Sequence, residues 1–179
     1  MPIDDQMIDF GRMTPICCAA NIPSDVKDRF IEANQNYKNQ MICYMAFIDD
    51  LTATYSDESE IGDDLGTSQA PFKDKTAQEC LELLRKLRIE NESDIRCSLF
   101  IVMDERTLQD DTVLLVQAPF LGEEGEIKTV RAEFQVAYSQ LMCYEMAYES
   151  DNIEADQAAA QATEDGVLRE AALKERRQG

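Results

Sequence analysis

Residues 98–116 read Ser98-Leu-Phe-Ile-Val-Met-Asp-Glu-Arg-Thr-Leu-Gln-Asp-Asp-Thr-Val-Leu-Leu-Val116. Two short apolar runs bracket a turn that holds four carboxylates: Asp104, Glu105, Asp110 and Asp111. Continuous apolar runs of this length are typical of strands that are buried on both faces of a sheet. The stretch therefore predicts two central strands, with acidic residues at a strand end, where an α/β sheet keeps its functional residues.

The residues that precede this stretch predict alternating strands and helices. Apolar runs at Thr14–Ala20 and Met41–Ile48 indicate two more strands. Ser24 is the expected N-cap of a first helix, whose apolar residues recur at helical spacing. The pattern Thr76-Ala-Gln-Glu79 is a capping box and predicts the start of a second helix.

The residues that follow the stretch predict a mixed sheet. Residues 127–132 alternate apolar with polar side chains, as a one-sided strand does. Residues 133–149 carry apolar side chains around more than one face, which predicts a helix buried on two sides. We expect one α/β domain over residues 1–150, with a single mixed sheet of about five strands and helices packed on it, an acidic mobile loop at about 50–73, and a helical C-terminal tail at 151–179.

The charge balance limits the partners. The chain has 17 Lys and Arg against 36 Asp and Glu, a net charge of -19. Such a surface repels nucleic acid and anionic membranes and favours cations and basic proteins. No apolar stretch approaches the roughly 20 residues that span a bilayer, and the N-terminus is acidic, so we expect a cytoplasmic protein.

Several chemistries are excluded by residues that the chain lacks. It contains no histidine, which removes catalytic triads and histidine-bound zinc. No glycine-rich phosphate loop and no dinucleotide-binding glycine pattern occurs, and no Cys-x-x-Cys pattern supports a zinc site. We expect no cofactor other than Mg²⁺ at the acidic strand ends. The six cysteines show no compact spacing of the secreted type, which favours reduced, buried thiols.

Four segments of the chain resemble an uncharacterised family of small, largely bacterial domains. They are Cys43-Tyr-Met-Ala-Phe-Ile-Asp-Asp50, Leu99-Phe-Ile-Val-Met-Asp-Glu105, Val113-Leu-Leu-Val116 and Asp165-Gly-Val-Leu-Arg169. The resemblance spans roughly residues 14 to 170 and implies an α/β fold, with no established activity. The chain departs from the family in its lack of tryptophan, in its long acidic loop, and in Leu168, where the family has an aromatic residue.

The first functional hypothesis is a binding or assembly protein for a basic protein partner or for a second copy of the chain. Tyrosine and methionine are enriched in the centres of interfaces, and acids steer basic partners. The candidate binding residues are Asp50, Arg106, Tyr138, Tyr144 and Tyr148. For the three tyrosines, packing within the fold is an equal alternative.

The second hypothesis is a small-molecule enzyme of lyase, isomerase or hydrolase type. Asp49, Asp104 and Glu105 are its candidate catalytic residues, and Asp49 and Asp104 could hold Mg²⁺. The alternative for these acids is a set of capping residues on a solvated rim. A third hypothesis places thiol chemistry at Cys17 or Cys18, near a predicted helix N-terminus.

Overall fold

The sheet is mixed and has six strands in the order β2-β1-β3-β4-β5-β6. The computed structural model describes residues 11–39, 43–63, 70–146 and 152–179. Strand β1 (Thr14–Cys18) pairs in parallel with β2 (Met45–Phe47) on one side and with β3 (Leu99–Met103) on the other. Strands β4 (Thr112–Gln117) and β5 (Lys128–Glu133) are antiparallel to their predecessors, and β6 (Val167–Leu168) is parallel to β5.

The described part of the chain has six α-helices, five of them between strands and the last after β6. They are α1 (Ser24–Asn36), α2 (Ala77–Asn91), α3 (Thr107–Asp110), α4 (Ala137–Glu145), α5 (Ile153–Gln161) and α6 (Glu170–Gln178). The α/β class, the mixed sheet and the helical C-terminal region are confirmed. The sheet has six strands where about five were expected, and one of them, β6, comes from that C-terminal region.

Alternate residues of the central strands face two separate cores. In β3, Leu99, Ile101 and Met103 pack with α1, α4, α5 and α6 on one side of the sheet. Phe100 and Val102 pack with α2 on the other side. This is the alternation that a strand imposes on its side chains, and it explains why β3 is apolar at every position.

The helix starts follow local chemistry, with one difference from the prediction. The Thr76 side chain accepts from the Glu79 N–H, and the Glu79 carboxylate accepts from the Thr76 N–H, so the capping box is confirmed. Ser24 is the first residue of α1, and the cap position belongs to Pro23, which offers no side-chain acceptor. Pro23 holds the extended backbone that a helix entry requires.

The first part of the acidic loop is tied to the rest of the fold. The Ser59 N–H donates to the Met45 carbonyl, and the Ser59 hydroxyl accepts from the Phe47 N–H, so this residue covers the edge strand β2. The Tyr55 N–H donates to the Ser93 hydroxyl. The mobility predicted for residues 50–73 stays a prediction, but these bonds would have to break for residues 55–59 to move.

The C-terminal region packs on the sheet through buried apolar residues. Ile153 and Ala160 of α5, both residues of β6, and Leu173 of α6 are buried. The boundary predicted at residue 150 lies outside the described residues. Among the described residues, no helix combines the length and apolarity that crossing a membrane requires.

Candidate functional site

The strand-end acids lie at one edge of the sheet but do not form one cluster. Asp49 and Asp50 follow β2, and Asp104 and Glu105 follow β3. Strand β1 lies between β2 and β3, which places the two pairs two interstrand spacings apart, about 10 Å. The convergence that the sequence suggested therefore holds for the edge and not for contact between the carboxylates.

Asp49 and Asp50 are engaged in a local turn around Tyr55. The Tyr55 hydroxyl donates to Asp49 Oδ1 at 2.8 Å, and its oxygen accepts from the Asp50 N–H at 2.9 Å. The Thr52 hydroxyl and N–H donate to Asp50 Oδ1, and these bonds lower the pKa of Asp50. Both acids thus act as acceptors in a turn, the role that the sequence analysis named as their alternative.

Asp104 forms an ion pair with an arginine on the side of β3 that faces away from β2. Arg131, on β5, donates from both terminal nitrogens to the two carboxylate oxygens of Asp104, one of them at 2.9 Å. The N–H groups of Arg106 and Thr107 donate to the same carboxylate. Because β5 lies on the far side of β3 from β2, the Asp104 carboxylate is directed away from Asp49.

The electrostatics of Asp104 do not favour a general acid. Burial would raise the pKa of Asp104, but the hydrogen bonds and charge of Arg131, with the two N–H donors, outweigh it and hold the pKa below its usual range. A general acid needs a raised pKa to hold its proton near neutrality. The geometry is that of a bidentate ion pair, which positions the turn after β3.

This pair belongs to a network that joins two segments singled out in the sequence. Arg106 donates to Asp110 at 2.7 Å and to the Asp165 carbonyl at 3.0 Å. Asp165 accepts from Arg169 at 2.9 Å, and this pair lowers the pKa of Asp165. The acidic turn after β3 and the Asp165–Arg169 segment are thus in contact, 59 residues apart in sequence between Arg106 and Asp165. Glu105 is exposed and lies outside these pairs.

The lowered pKa of Asp104 predicts that its ion pair with Arg131 stabilises the folded protein at neutral pH. We expect Asp104→Asn to lower the free energy of unfolding by about 2 kcal/mol at pH 7, the size of a hydrogen bond to a charged group. Because the pKa of Asp104 is lower in the folded protein than in the unfolded chain, where it is about 4, the ionised carboxylate stabilises the fold at neutral pH. This stabilisation is lost as the pH falls through the pKa of Asp104 in the folded protein. The difference from the wild-type protein should therefore shrink between pH 7 and pH 3, measured by urea unfolding. The exposed neighbour serves as control, since Glu105→Gln should change stability little; equal losses in both variants would contradict the role of the pair.

Metal binding at these residues stays a prediction. In the portion of the chain that the structure describes, no group of three or more Asp, Glu or Cys side chains has the arrangement that holds a metal ion. Asp104 already binds Arg131, so an ion would have to displace a charged partner.

The candidate tyrosines lie inside the fold where the structure describes them. Tyr138 and Tyr144 are 6% and 5% exposed, respectively. The Tyr144 hydroxyl donates to Asp156, which is fully buried. Tyr148 lies outside the described residues. Tyr138 and Tyr144 therefore contribute to packing within the fold, which is the alternative that the sequence left open.

The thiols at the end of β1 do not have the properties of nucleophiles. Burial raises the pKa of Cys17 well above its usual value and raises that of Cys18 to about 11. Lys27 is near enough to oppose the shift of Cys18, but burial outweighs its charge. A thiol with a raised pKa is poorly reactive at neutral pH, so neither residue is activated for catalysis.

A groove of about 450 Å³ lies at the opposite end of β3 from Asp104. Its walls come from the first residue of β3, the last of β4, the turn at residues 118–126, the start of β5 and the end of α4. Leu99, Ala118, Pro119 and Phe120 give it an apolar part, and Phe120 is 40% exposed. Residues 118–125 connect β4 to β5.

The charges that line the groove fall into two groups. Arg96 is paired with Glu145, and Lys128 with Glu154, so both cations are neutralised. Glu123, Glu124 and Glu126 are exposed, and none of the described residues forms an ion pair with them. The rim of the groove therefore carries three carboxylates that have no cationic partner within the described structure.

Comparison of the chain with known protein families, with curated proteins and with solved structures finds no match. The resemblance of the four sequence segments to a bacterial domain family therefore stays a prediction.

Proposed function

We propose that this protein is a binding module for a basic protein segment, which docks in the groove beside residues 118–126. The observation that carries the proposal is a rim of three glutamates, which have no cationic partner among the described residues, beside an apolar lining. Interfaces commonly combine an apolar centre with a charged rim, and complementary charge gives specificity and a fast association rate. The net charge of -19 directs basic partners towards the protein in general, and the groove gives them one place to dock.

The alternative of an enzyme at the strand ends has less support. It requires Asp49 and Asp104 to act on one substrate, and the sheet order separates them. It also requires a free carboxylate at Asp104, whose oxygens accept from Arg131. Self-association through the groove is less favoured than a basic partner, because two copies of so acidic a chain repel one another.

The proposal is tested with a labelled peptide of alternating lysine, arginine and leucine, titrated with the protein and followed by fluorescence anisotropy. We expect saturable binding that weakens as salt is raised, since exposed charges are screened. A peptide with glutamate in place of the basic residues should not bind.

A set of charge-matched variants locates the binding. The groove variant Glu123→Gln/Glu124→Gln/Glu126→Gln should weaken binding roughly tenfold, since three rim charges contribute about 0.5 kcal/mol each. The control variant Glu60→Gln/Glu90→Gln/Glu175→Gln changes three exposed glutamates that do not line the groove, and it should bind like the wild-type protein. Equal weakening by both variants would mean non-specific attraction to the surface, and no binding of the basic peptide by the wild-type protein would overturn the proposed function.

A further inference from the structure

The turn on the rim of the groove brings an aromatic ring and a carboxylate together. The Glu123 N–H donates to the Phe120 carbonyl at 2.9 Å and closes a four-residue turn. Gly122, the third residue of this turn, has a φ of 85°, which glycine adopts without steric cost. The first and last residues of such a turn have Cα atoms within about 7 Å of each other, so Phe120 and Glu123 are neighbours in the groove lining.

Contacts on both sides of the turn hold it in place. Arg85, on α2, donates to the carbonyl of Pro119, the residue before the turn, at 2.8 Å. Gly125, after the turn, lies so close to Pro119 that an added Cβ would stand 3.3 Å from the proline Cβ. The segment therefore returns across Pro119 as a packed unit. Such preorganisation lowers the ordering cost that opposes the binding of a partner.

The Phe120 side chain presents part of its surface to the groove. It is 40% exposed, and it is the only aromatic residue among the large hydrophobic side chains that are exposed in the described part of the chain. The face of an aromatic ring carries partial negative charge and attracts cations. An exposed ring beside a carboxylate therefore offers a cation two kinds of contact at once.

The charges around this ring favour a cationic ligand. The groove lining holds four glutamates against two cations. Each cation already has a partner, Arg96 in Glu145 and Lys128 in Glu154. Glu123 has no cationic partner within the described structure, so its carboxylate is the acceptor nearest to Phe120 that a bound cation could pair with.

We propose that the groove recognises arginine in preference to lysine, with a guanidinium of the bound segment stacked on the Phe120 ring and paired with the Glu123 carboxylate. This inference rests on the proposed function and names the residue that the groove selects in its basic partner. A guanidinium is planar and weakly hydrated, so it stacks on an aromatic face while its in-plane N–H groups donate to a carboxylate. A lysine ammonium is a compact and strongly hydrated point charge that pairs with the carboxylate but does not stack.

The preference is measured with two labelled peptides of equal length and charge, one alternating arginine with leucine and the other lysine with leucine. Each is titrated with the wild-type protein and followed by fluorescence anisotropy. We expect the arginine peptide to bind about fivefold more tightly, the size of one cation–π contact at an exposed site. In proton NMR, the Hδ protons of a bound arginine should also move upfield, because they lie over the Phe120 ring.

A ring-deleting variant assigns the preference to Phe120. Phe120→Leu keeps an apolar side chain and removes the ring, so the ratio of the two affinities should fall below about twofold and the upfield shift should disappear. The control Ile89→Ala removes an apolar side chain that is 47% exposed and lies outside the groove, and it should keep the wild-type ratio.

The outcomes separate this inference from the proposed function. Equal binding of the two peptides by the wild-type protein would overturn the arginine preference and leave the basic-segment function standing. A preference that survives Phe120→Leu, or bound arginine protons that do not shift in the wild-type protein, would overturn the stacking on Phe120. If neither peptide binds, the proposed function fails and this inference fails with it.

Discussion

Arg176→Met is expected to lower the free energy of unfolding by about 3–5 kcal/mol, because it leaves a buried carboxylate without its cation. Asp156 is fully buried, and Arg176 donates to its Oδ1 at 2.7 Å. Burial raises the pKa of Asp156 above its usual value although Tyr144 and Arg176 act in the opposite direction. Without the positive charge of Arg176, the ionised carboxylate of Asp156 loses electrostatic stabilisation. The loss is measured by urea unfolding at pH 7.

The pH dependence of the stability loss in Arg176→Met distinguishes an unpaired buried charge from lost side-chain packing. An acid whose folded pKa is raised binds its proton more tightly in the folded state, so its ionisation costs stability as the pH rises through the folded pKa. In Arg176→Met this cost grows, and the deficit should therefore be largest at neutral pH and smaller in mild acid. A deficit that does not change with pH would show that Arg176 acts only by packing its side chain.

A second substitution tests the same pair from the other side. Asp156→Asn keeps an acceptor for the Tyr144 hydroxyl and removes the charge. In this background Arg176→Met should cost only about 1 kcal/mol, the size of an ordinary hydrogen bond. Full additivity of the two substitutions would contradict the coupling. Lys174→Met is the matched control, since Lys174 is an exposed cation of the same helix whose partner is Glu170.

Phe100→Ala is expected to lower the free energy of unfolding by about 3–5 kcal/mol, the cost of removing a large side chain from a packed core. Phe100 is fully buried in β3, the first of the two strands in residues 98–116, and packs under α2. The control Leu108→Ala lies in the same stretch, but Leu108 is 42% exposed, and its loss should change stability by less than about 0.5 kcal/mol. Urea unfolding of both variants measures the contrast; a cost below about 1 kcal/mol for Phe100→Ala would contradict the two-sided burial of β3.

Much of the fold could be predicted because its signals are local. The apolar run of β3 is continuous since helices cover both of its faces, and such a run is visible in the sequence. The capping box at Thr76 is another local signal, because both of its hydrogen bonds join residues three apart. The sixth strand is only two residues long and lies in a segment of helical composition, so no periodicity could show it.

The candidate site was less predictable, because its contacts join residues that are far apart in sequence. The acids at the ends of β2 and β3 were expected to act together, and that expectation depends on the strand order. The sheet places β1 between the two strands and places Arg131 beside Asp104. The groove could not be predicted for the same reason, because its walls come from three strands, a turn and a helix that only the fold brings together.

The sequence by itself determined the α/β class, the central strands of residues 98–116, and the acidic surface, because these follow from hydrophobic periodicity and net charge. The tertiary structure decided which acids are neutralised and which remain without a partner. Asp104 and Asp110 have arginine partners, whereas Glu123, Glu124 and Glu126 have none among the described residues. The physical reason is that an ion pair depends on the distance between side chains across the sheet, and residue spacing along the chain does not contain that distance.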